Sequence, residues 1–319
     1  MHYIIFDMEW NQPMCADRLV TKPVDLHGEI IQIGAVKLDG DKQILDTCNL
    51  LIKPKFYKKM HWSVSRLTRI RTADLENGCS FLDAMEKFRK FMGEDAVLCT
   101  WGPDDMGILR NNLLVHGIGT EWLPQNYDLQ LIYDMELAKI NRQVSLEEAM
   151  EFLQEELLPS HDALNDALNT AKVCKYLDFP DVFRHYEQRE REYECRLAGA
   201  EEIVYCQKSY SDKDKALEDR ELLSFVCPMC KEQGDLSGAV LQNGNKYVAV
   251  GTCPNGHGWF ARIKLIRDEG EGIHAVRYLY ELTEERAESY RLKKQRHEKK
   301  QKQYTQWRKR QTAQKEKKR

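Results

Sequence analysis

The first nine residues, MHYIIFDME (1–9), decide the fold that the rest of the chain is expected to adopt. Residues 1–7 are mostly apolar and β-prone, so they predict a strand that begins at once. Side chains two apart on a strand project from the same face, so Asp7 and Glu9 form a pair of carboxylates. Such a pair is costly to bury without a cation, and Mg²⁺ or Mn²⁺ prefers oxygen ligands. Alone, this Asp-x-Glu pattern is a weak signal that surface acidity also explains.

Beyond this strand, residues 1–180 alternate strand-like and helix-like stretches. Residues 29–38 and 44–52 predict two strands joined through the turn at 39–41, which makes them antiparallel. The apolar spacing over 80–92 is helical. The remaining predicted elements are a short strand at 96–100, a segment at 126–128 that leads into a helix at 129–140, and further helices at 104–116, 145–153 and 162–177. This order predicts an α/β layer domain with a mixed sheet.

The segment TWGPDDM (100–106) supplies a third candidate carboxylate, where a strand runs into a helix. Acids commonly cap a helix N-terminus at such a junction. We assign that capping role to Asp104 and a position in the cleft to Asp105, and the opposite assignment stays open.

The segment SHDALNDA (160–167) places His161 just before a helix whose next turn presents Asp166. A lone histidine at a helix start is usually structural. This one is paired with an aspartate and follows three earlier acids at strand ends, so we take both as candidate site residues. The small side chains of Ala163, Ala167 and Ala171 would let this helix pack closely against the sheet.

Together these motifs resemble the DEDDh 3′→5′ exonucleases. FDME (6–9) matches the family's Asp-x-Glu strand, HDALND (161–166) its His-x-Ala-x-x-Asp motif, and EIIQIGAV (29–36) is similar to its second strand. WG (101–102) with DM (105–106) most resembles the Eri-type and KapD-like branch, which acts mainly on RNA. The resemblance implies an RNase H-like fold, with a mixed sheet flanked by helices, and five catalytic residues: Asp7, Glu9, Asp105, His161 and Asp166.

The mechanism implied by the resemblance is metal-dependent hydrolysis of single-stranded nucleic-acid ends, with RNA preferred. Asp7, Glu9, Asp105 and Asp166 would hold two Mg²⁺ (or Mn²⁺) ions. His161 would accept the proton of the attacking water, because imidazole changes protonation near neutral pH. The products would be nucleoside 5′-monophosphates. The alternatives are a DNA exonuclease of proofreading or repair and a catalytically silent nucleic-acid-binding scaffold.

Two departures from the family pattern bear on substrate binding. Trp10 stands where many relatives have Thr, and it would either stack on the terminal base or pack in the core. Leu67-Thr68-Arg69-Ile70 stands where relatives usually carry Leu-Thr-Gly-Ile. Arg69 would contact a backbone phosphate or be solvated.

Three of the ten cysteines, Cys227, Cys230 and Cys253, are spaced like metal ligands. CPMC (227–230) and CPNGH (253–257) have zinc-ribbon spacing, and Pro and Gly permit the tight turns that aim the side chains at one ion. Unpaired reduced thiols are the alternative. We expect a closed, structural Zn²⁺ site that docks nucleic acid or protein, with the ligands Cys227, Cys230, Cys253 and His257.

Charge is unevenly distributed along the chain. Residues 290–319 hold 14 Lys and Arg against two Glu, a net of +12, and the chain total of −3 therefore leaves −15 for residues 1–289. The basic segment, with Trp307 as a stacking aromatic, would track phosphates. The alternative is a solubilising tail or one that contacts the ribosome or structured RNA.

We predict four parts: a DEDDh exonuclease domain at 1–180, a charged helical linker at 181–222, a small β-rich zinc-ribbon domain at 223–282, and a basic helical or disordered tail at 283–319. The sequence has no apolar run of about 18 residues and no recognisable secretory leader. We therefore expect a cytoplasmic protein without a membrane partner.

Overall fold

The computed structural model describes residues 2–206, 208–267 and 272–316, with the side chains of residues 301 and 304–316 excepted. The chain divides into two compact units, Met1–Glu190 and Arg191–Arg319. Within the described residues, every helix is too short or too polar to cross a membrane.

The first unit is built on a mixed sheet. Its described strands are β1 (His2–Asn11), β2 (Glu29–Leu38), β3 (Ile44–Leu51), β4 (Ala96–Thr100) and β5 (Asn126–Asp128), in the spatial order β3-β2-β1-β4-β5. β1, β2 and β3 pair antiparallel, whereas β1, β4 and β5 pair parallel. This arrangement confirms the predicted RNase H-like α/β class.

Helices pack against this sheet and close its core. They are α1 (Trp62–Thr68), α2 (Phe81–Met92), α3 (Asp104–Val115), α4 (Leu129–Tyr133), α5 (Leu146–Phe152), α6 (Ala163–Val173) and α7 (Phe179–Arg184). Phe6 of β1, Phe88 of α2 and Leu109 of α3 share one buried cluster. The helix predicted over 129–140 is shorter, because the chain widens into a π-helix at Asp134–Ala138 and Lys139 then takes a left-handed conformation.

The contact between α6 and β2 is unusually close. A Cβ added to Gly34 would lie 2.1 Å from the carbonyl carbon of Ala163 and from the Leu164 nitrogen. Ala163, Ala167 and Ala171 are all buried, which confirms that small residues let this helix approach the sheet. A glycine inside a strand commonly marks such a close backbone approach.

Buried polar side chains fix the segment that leads into α1. Glu29 accepts hydrogen bonds from the backbone N–H groups of residues 55–57. The Asn11 side chain donates to the Tyr57 carbonyl and accepts from the His61 N–H, both at 2.8 Å. Because His61 immediately precedes α1, these bonds set where that helix begins.

The second unit carries an antiparallel sheet. Its described strands are β6 (Glu202–Tyr205), β7 (Ser224–Val226), β8 (Gln233–Leu236), β9 (Val240–Asn243), β10 (Lys246–Thr252), β11 (Gly258–Arg267) and β12 (Ile273–Glu281). Their order is β6-β12-β11-β10-β8-β7, and β9 pairs with β10. The helices that follow α7 are α8 (Tyr186–Ala198), α9 (Lys213–Glu218), α10 (Arg220–Leu223) and α11 (Glu284–Glu316).

The structure shows secondary structure within both the predicted linker and the predicted tail. β6 lies within the expected helical linker and pairs with β12, because its Ile203-Val204-Tyr205 stretch is β-prone and half-buried at a sheet edge. The expected tail contains the long helix α11. The side chain of Trp307 lies outside the described residues, so its stacking role stays a prediction, as do the four domain boundaries.

Replacing Gly34 with Ala should lower the free energy of unfolding by about 1–3 kcal/mol, because the new methyl group overlaps helix backbone that cannot move as a side chain can. Chemical denaturation measures the change. Gly107→Ala is the matched control, because a Cβ on that α3 residue meets nothing within 4 Å. It should be neutral or stabilising by about 0.5–1 kcal/mol. Equal stabilities for the two variants would contradict this interpretation.

Candidate active site

A pocket of about 360 Å³ opens between β1, α1 and the first turns of α3 and α6. Of the predicted substrate-binding residues, Trp10 lines this pocket, whereas Arg69 is not among the described lining residues. All five predicted catalytic residues lie on it: Asp7, Glu9, Asp105, His161 and Asp166.

The register of β1 explains its contribution. Asp7 pairs with Gly34 and Glu9 with Gln32, so both carboxylates lie on one face, as the period of a strand predicts. The register then shifts between Glu9 and Trp10. A bulge of this kind re-aims the next side chain. Trp10 therefore lines the pocket while also packing against the buried core.

Asp105 is held in place by a backbone hydrogen bond. The carboxyl is buried in the first turn of α3, and its Oδ1 accepts the Met8 N–H at 3.0 Å. Asp104 is exposed at the edge of the pocket. Its predicted capping role is wrong, because Pro103 occupies the N-cap and no side chain caps this helix. The geometry favours Asp105 over Asp104 as the metal ligand.

His161 and Asp166 are brought together by the start of α6. His161 has a positive φ of 65°, which turns the chain just before Asp162 caps the helix. The His161 N–H donates to Asp166 Oδ2 at 2.9 Å. One potential ligand atom from each of Glu9, His161 and Asp166 lies within 4.8 Å of the other two.

Gln32 is a positioning residue that the sequence reasoning missed. It is buried on β2, its Nε2 donates to Asp162 Oδ2 at 3.0 Å, and its Oε1 accepts the Ala163 N–H at 3.4 Å. It therefore fastens the start of α6 to the strand next to β1. The sequence held one sign of this role, because Gln32 is the only side-chain amide in the apolar run of residues 30–36. A polar side chain in such a buried strand needs hydrogen-bond partners.

Arg69 occupies a conformation that accounts for the departure noted in the sequence. It ends α1 with a φ of 63°, in the left-handed region where glycine is favoured. The glycine that is usual in the family fits this left-handed conformation, and this chain adopts the same conformation with an arginine. The preceding residues, Leu67 and Thr68, line the pocket.

Burial and mutual repulsion dominate the electrostatics of the site. Burial, followed by repulsion from Asp105 and Asp166, raises the pKa of Asp7 well above its ordinary value. Burial and Asp166 raise the pKa of Glu9 to about 8. Burial also raises the pKa of Asp105 to about 7 and that of Asp166 to about 6. The hydrogen bonds from the backbone N–H groups of Met8 and His161 partly offset these two shifts.

This arrangement suits divalent cations. Among the described residues that line the pocket there is no Lys or Arg to neutralise the carboxylates. Hard cations such as Mg²⁺ and Mn²⁺ prefer oxygen donors of this type. A cation here would favour the ionised form of these four carboxyl groups, whose pKa values are raised by burial and by neighbouring acids.

Comparison with known proteins agrees with this geometry. Residues 6–174, more than half of the chain, match the exonuclease family. The chain is 26% identical over 176 residues to a probable 3′–5′ exonuclease, KapD, of Bacillus subtilis, covering 55% of this chain and 83% of that protein. It is also 26% identical over 179 residues to the PolC-type DNA polymerase III of Clostridium perfringens, covering 54% of this chain and 11% of the polymerase.

The chain is also similar in part to a solved structure. The nuclease domain of 3′hExo, a DEDDh family member bound to rAMP, superposes with a TM-score of 0.47 at 21% identity, covering 55% of this chain and 90% of that domain. The chain belongs to the exonuclease family. Within that family it is a 3′–5′ exonuclease of the DEDDh type that acts on nucleic acid, and membership implies divalent metal ions in the active site.

A second cluster lies in the other unit, at two turns between strands. Cys227 and Cys230 lie between β7 and β8, and Cys253 and His257 between β10 and β11. The distances are 3.5 Å from Cys227 Sγ to His257 Nδ1, 3.6 Å between the sulfurs of Cys230 and Cys253, and 3.4 Å from Cys253 Sγ to His257 Nδ1. One ligand atom from each residue lies within 4.8 Å of the other three.

The active-site carboxyl groups predict a stability that depends on pH and on metal. A carboxyl whose folded-state pKa is raised contributes stability that is present below its ordinary pKa and lost as pH rises through the raised value. For Glu9, with a raised pKa of about 8, the loss extends from about pH 4.5 to about pH 8. The metal-free protein should therefore melt at a lower temperature at pH 8.5 than at pH 5.5.

Thermal melting in EDTA at these two pH values tests this prediction. A loss of ~2 kcal/mol lowers Tm by roughly 4–8 °C in a domain of this size. Mn²⁺ should restore Tm more at pH 8.5 than at pH 5.5, and Glu9→Gln should reduce the pH dependence. A Tm that falls equally with pH in the wild type and in Glu9→Gln would refute this account.

Proposed function

We propose that this exonuclease degrades single-stranded RNA from its 3′ end and releases nucleoside 5′-monophosphates. The supporting observation is the convergence of Asp7, Glu9, Asp105, His161 and Asp166 in one pocket. A pocket of about 360 Å³ is large enough for a terminal nucleotide, and its walls combine acids with aromatic and aliphatic side chains. DNA is the alternative substrate, since one relative is a DNA polymerase.

Each side chain has a proposed role in the hydrolysis. Asp7, Glu9, Asp105 and Asp166 would hold two Mg²⁺ or Mn²⁺ ions, which when bound would stabilise negative charge on the phosphate and promote ionisation of water. His161 is exposed on the pocket and would accept the proton of the attacking water. The hydrogen bond from its backbone N–H to Asp166 supports this role, because it holds the main chain of His161 beside that carboxylate.

Substrate binding is proposed to involve two further groups. Trp10 lines the pocket beside Glu9, where it would stack on the terminal base. Arg69 is exposed at the end of α1, next to Thr68 of the pocket wall, and would contact a phosphate farther from the terminus. The preference for RNA is supported by the resemblance of Trp101-Gly102 and Asp105-Met106 to the Eri-type and KapD-like branch.

Digestion of matched 5′-labelled single-stranded RNA and DNA, with Mg²⁺, Mn²⁺ or EDTA, tests the proposal. We expect products that shorten progressively from the 3′ end, faster on RNA and only with metal. Asp7→Ala should abolish cleavage because it removes a metal ligand. His161→Ala should lower kcat by about 10²- to 10⁴-fold, the usual contribution of a general base.

Asp104→Asn and Asp105→Asn form the matched pair of controls, because the two acids are neighbours on the same pocket and only Asp105 is buried. Asp105→Asn should lose activity and Asp104→Asn should retain most of it. Near-wild-type cleavage by Asp7→Ala would refute the mechanism. Binding of both nucleic acids without metal-dependent cleavage would favour the silent scaffold, and faster cleavage of DNA would overturn the RNA preference.

We also propose that Cys227, Cys230, Cys253 and His257 hold one structural Zn²⁺ ion. Tetrahedral zinc, with bonds of about 2.3 Å to sulfur and about 2.0–2.1 Å to nitrogen, separates its ligand atoms by roughly 3.5–3.8 Å. The observed separations of 3.4–3.6 Å between the ligand atoms support this assignment. The cluster adjoins the buried side chains of Phe225 and Trp259, so the ion would stabilise the core of the sheet.

Metal analysis of the purified protein should find about one zinc per chain, given a four-ligand structural site. Cys253→Ser should lose the zinc and lower the melting temperature of the second unit. Cys206→Ser is the matched control, because Cys206 is a buried thiol of the same unit outside the cluster. Retention of full zinc by Cys253→Ser would refute the assignment.

The basic tail is proposed to contact structured RNA or the ribosome. The net charge of +12 over residues 290–319 supports this contact, because Lys and Arg side chains bind phosphate groups. The first turns of the helix are nevertheless structural, because Tyr290 is buried against the sheet of the second unit.

A further inference from the structure

A basic surface on the sheet of the second unit has no role in the functions proposed above. It borders a pocket of about 330 Å³ on β10, β11 and β12. Its exposed cations are Lys246, Arg262 and Lys264, which we call the basic sheet surface.

The strand register places these three cations together. Lys246 of β10 is directly opposite Lys264 of β11. Arg262 precedes Lys264 by two residues, so it lies about 6.7 Å along the same face. Like charges directly opposite each other destabilise an antiparallel sheet. In the described part of the chain, no carboxylate forms an ion pair with any of the three.

Aromatic and helical neighbours reinforce this positive charge. The Arg262 guanidinium lies 5.2 Å, and that of Arg286 4.8 Å, from the centroid of the Tyr280 ring. Cation–π contacts of this kind hold guanidinium groups in place. Burial and the positive charge of Arg262 lower the pKa of the Lys293 amine on α11. Positive charge is therefore concentrated on this face of the sheet, where an anion would be attracted.

We propose that the basic sheet surface binds the phosphodiester backbone of single-stranded nucleic acid, independently of its sequence. The inference rests on the proposed function only in that the ligand is the polymer on which the active site acts. Cations spaced along a strand suit an extended polyanion, and contacts to phosphate carry no base information. RNA and DNA of equal length should therefore depend on these side chains to the same degree.

The test uses the full chain carrying Asp7→Ala, which prevents cleavage without a chelator that would remove the proposed Zn²⁺, and a labelled 30-nucleotide single-stranded RNA. K246Q/R262Q/K264Q should weaken binding at least about tenfold near 0.1 M salt, because phosphate contacts of this kind dominate affinity. The slope of log affinity against log salt should become shallower by about 2, since each lost phosphate contact contributes about 0.7 for single strands. Single-stranded DNA of the same length should show an equal loss.

The matched control is K208Q/K215Q/R220Q, which removes three charges from elsewhere in the same unit. There Lys208 and Lys215 already have carboxylate partners, Asp219 and Asp212. This control should bind RNA nearly as well as the wild type. Equal affinity and salt slope in the two triple variants would overturn the proposal.

The single variant K264E separates binding from folding. It replaces a repulsive cross-strand pair with an attractive one, so it should leave the melting temperature unchanged or higher while it weakens RNA binding. If K264E loses binding to anionic phospholipid vesicles but binds RNA as the wild type does, the surface belongs to lipid and the proposal is overturned.

Turnover of a four-nucleotide RNA with Mg²⁺ distinguishes this inference from the proposed function. The triple variant K246Q/R262Q/K264Q should retain that turnover, because its substitutions leave the active-site pocket untouched. If the wild type fails to cleave the short RNA, the proposed function fails, and the binding comparison still decides the role of the basic sheet surface.

Discussion

At Gly34 the backbone of β2 touches the first turn of α6 with no side chain between them. Asp7 pairs with Gly34, and Glu9 pairs with Gln32, which fastens the start of the same helix. One backbone contact therefore sets how far the carboxylates of β1 lie from the histidine and aspartate that accompany α6. The small residues along α6 matter for the same reason, since any larger side chain would hold the helix away from the sheet.

The acidic pocket imposes an energetic constraint on the first unit. Burial raises the pKa values of Glu9 and Asp105 to about 8 and about 7, and repulsion from neighbouring acids adds to both shifts. The surrounding fold must hold this arrangement before any cation binds. It does so through the buried cluster of β1, β2, α2 and α3 and through hydrogen bonds from the backbone to Asp105 and Asp166. Active sites commonly sacrifice some stability of the fold for function in this way.

Strands with a continuous apolar run were predictable, and strands of three or four residues were not. The apolar runs at 29–38 and 96–100 gave strands with the predicted bounds, because continuous burial leaves a strong pattern. β7, β8 and β9 have three or four residues each and went unrecognised. Their pairing depends on neighbouring strands and on the turns that carry the Cys and His cluster. No periodicity can develop over so few residues.

The amino-acid sequence by itself determined which chemical groups are available and which of them share a local face, such as Asp7 with Glu9 on one strand. The exonuclease class follows from the resemblance of these motifs, in their order along the chain, to a known family. Tertiary structure decided what local spacing does not contain. It placed Asp105 rather than Asp104 against Met8, re-aimed Trp10 through a bulge, and put Arg69 in a left-handed turn. The physical reason is that these positions depend on packing between segments far apart in the chain, as in the 97-residue separation of Met8 and Asp105.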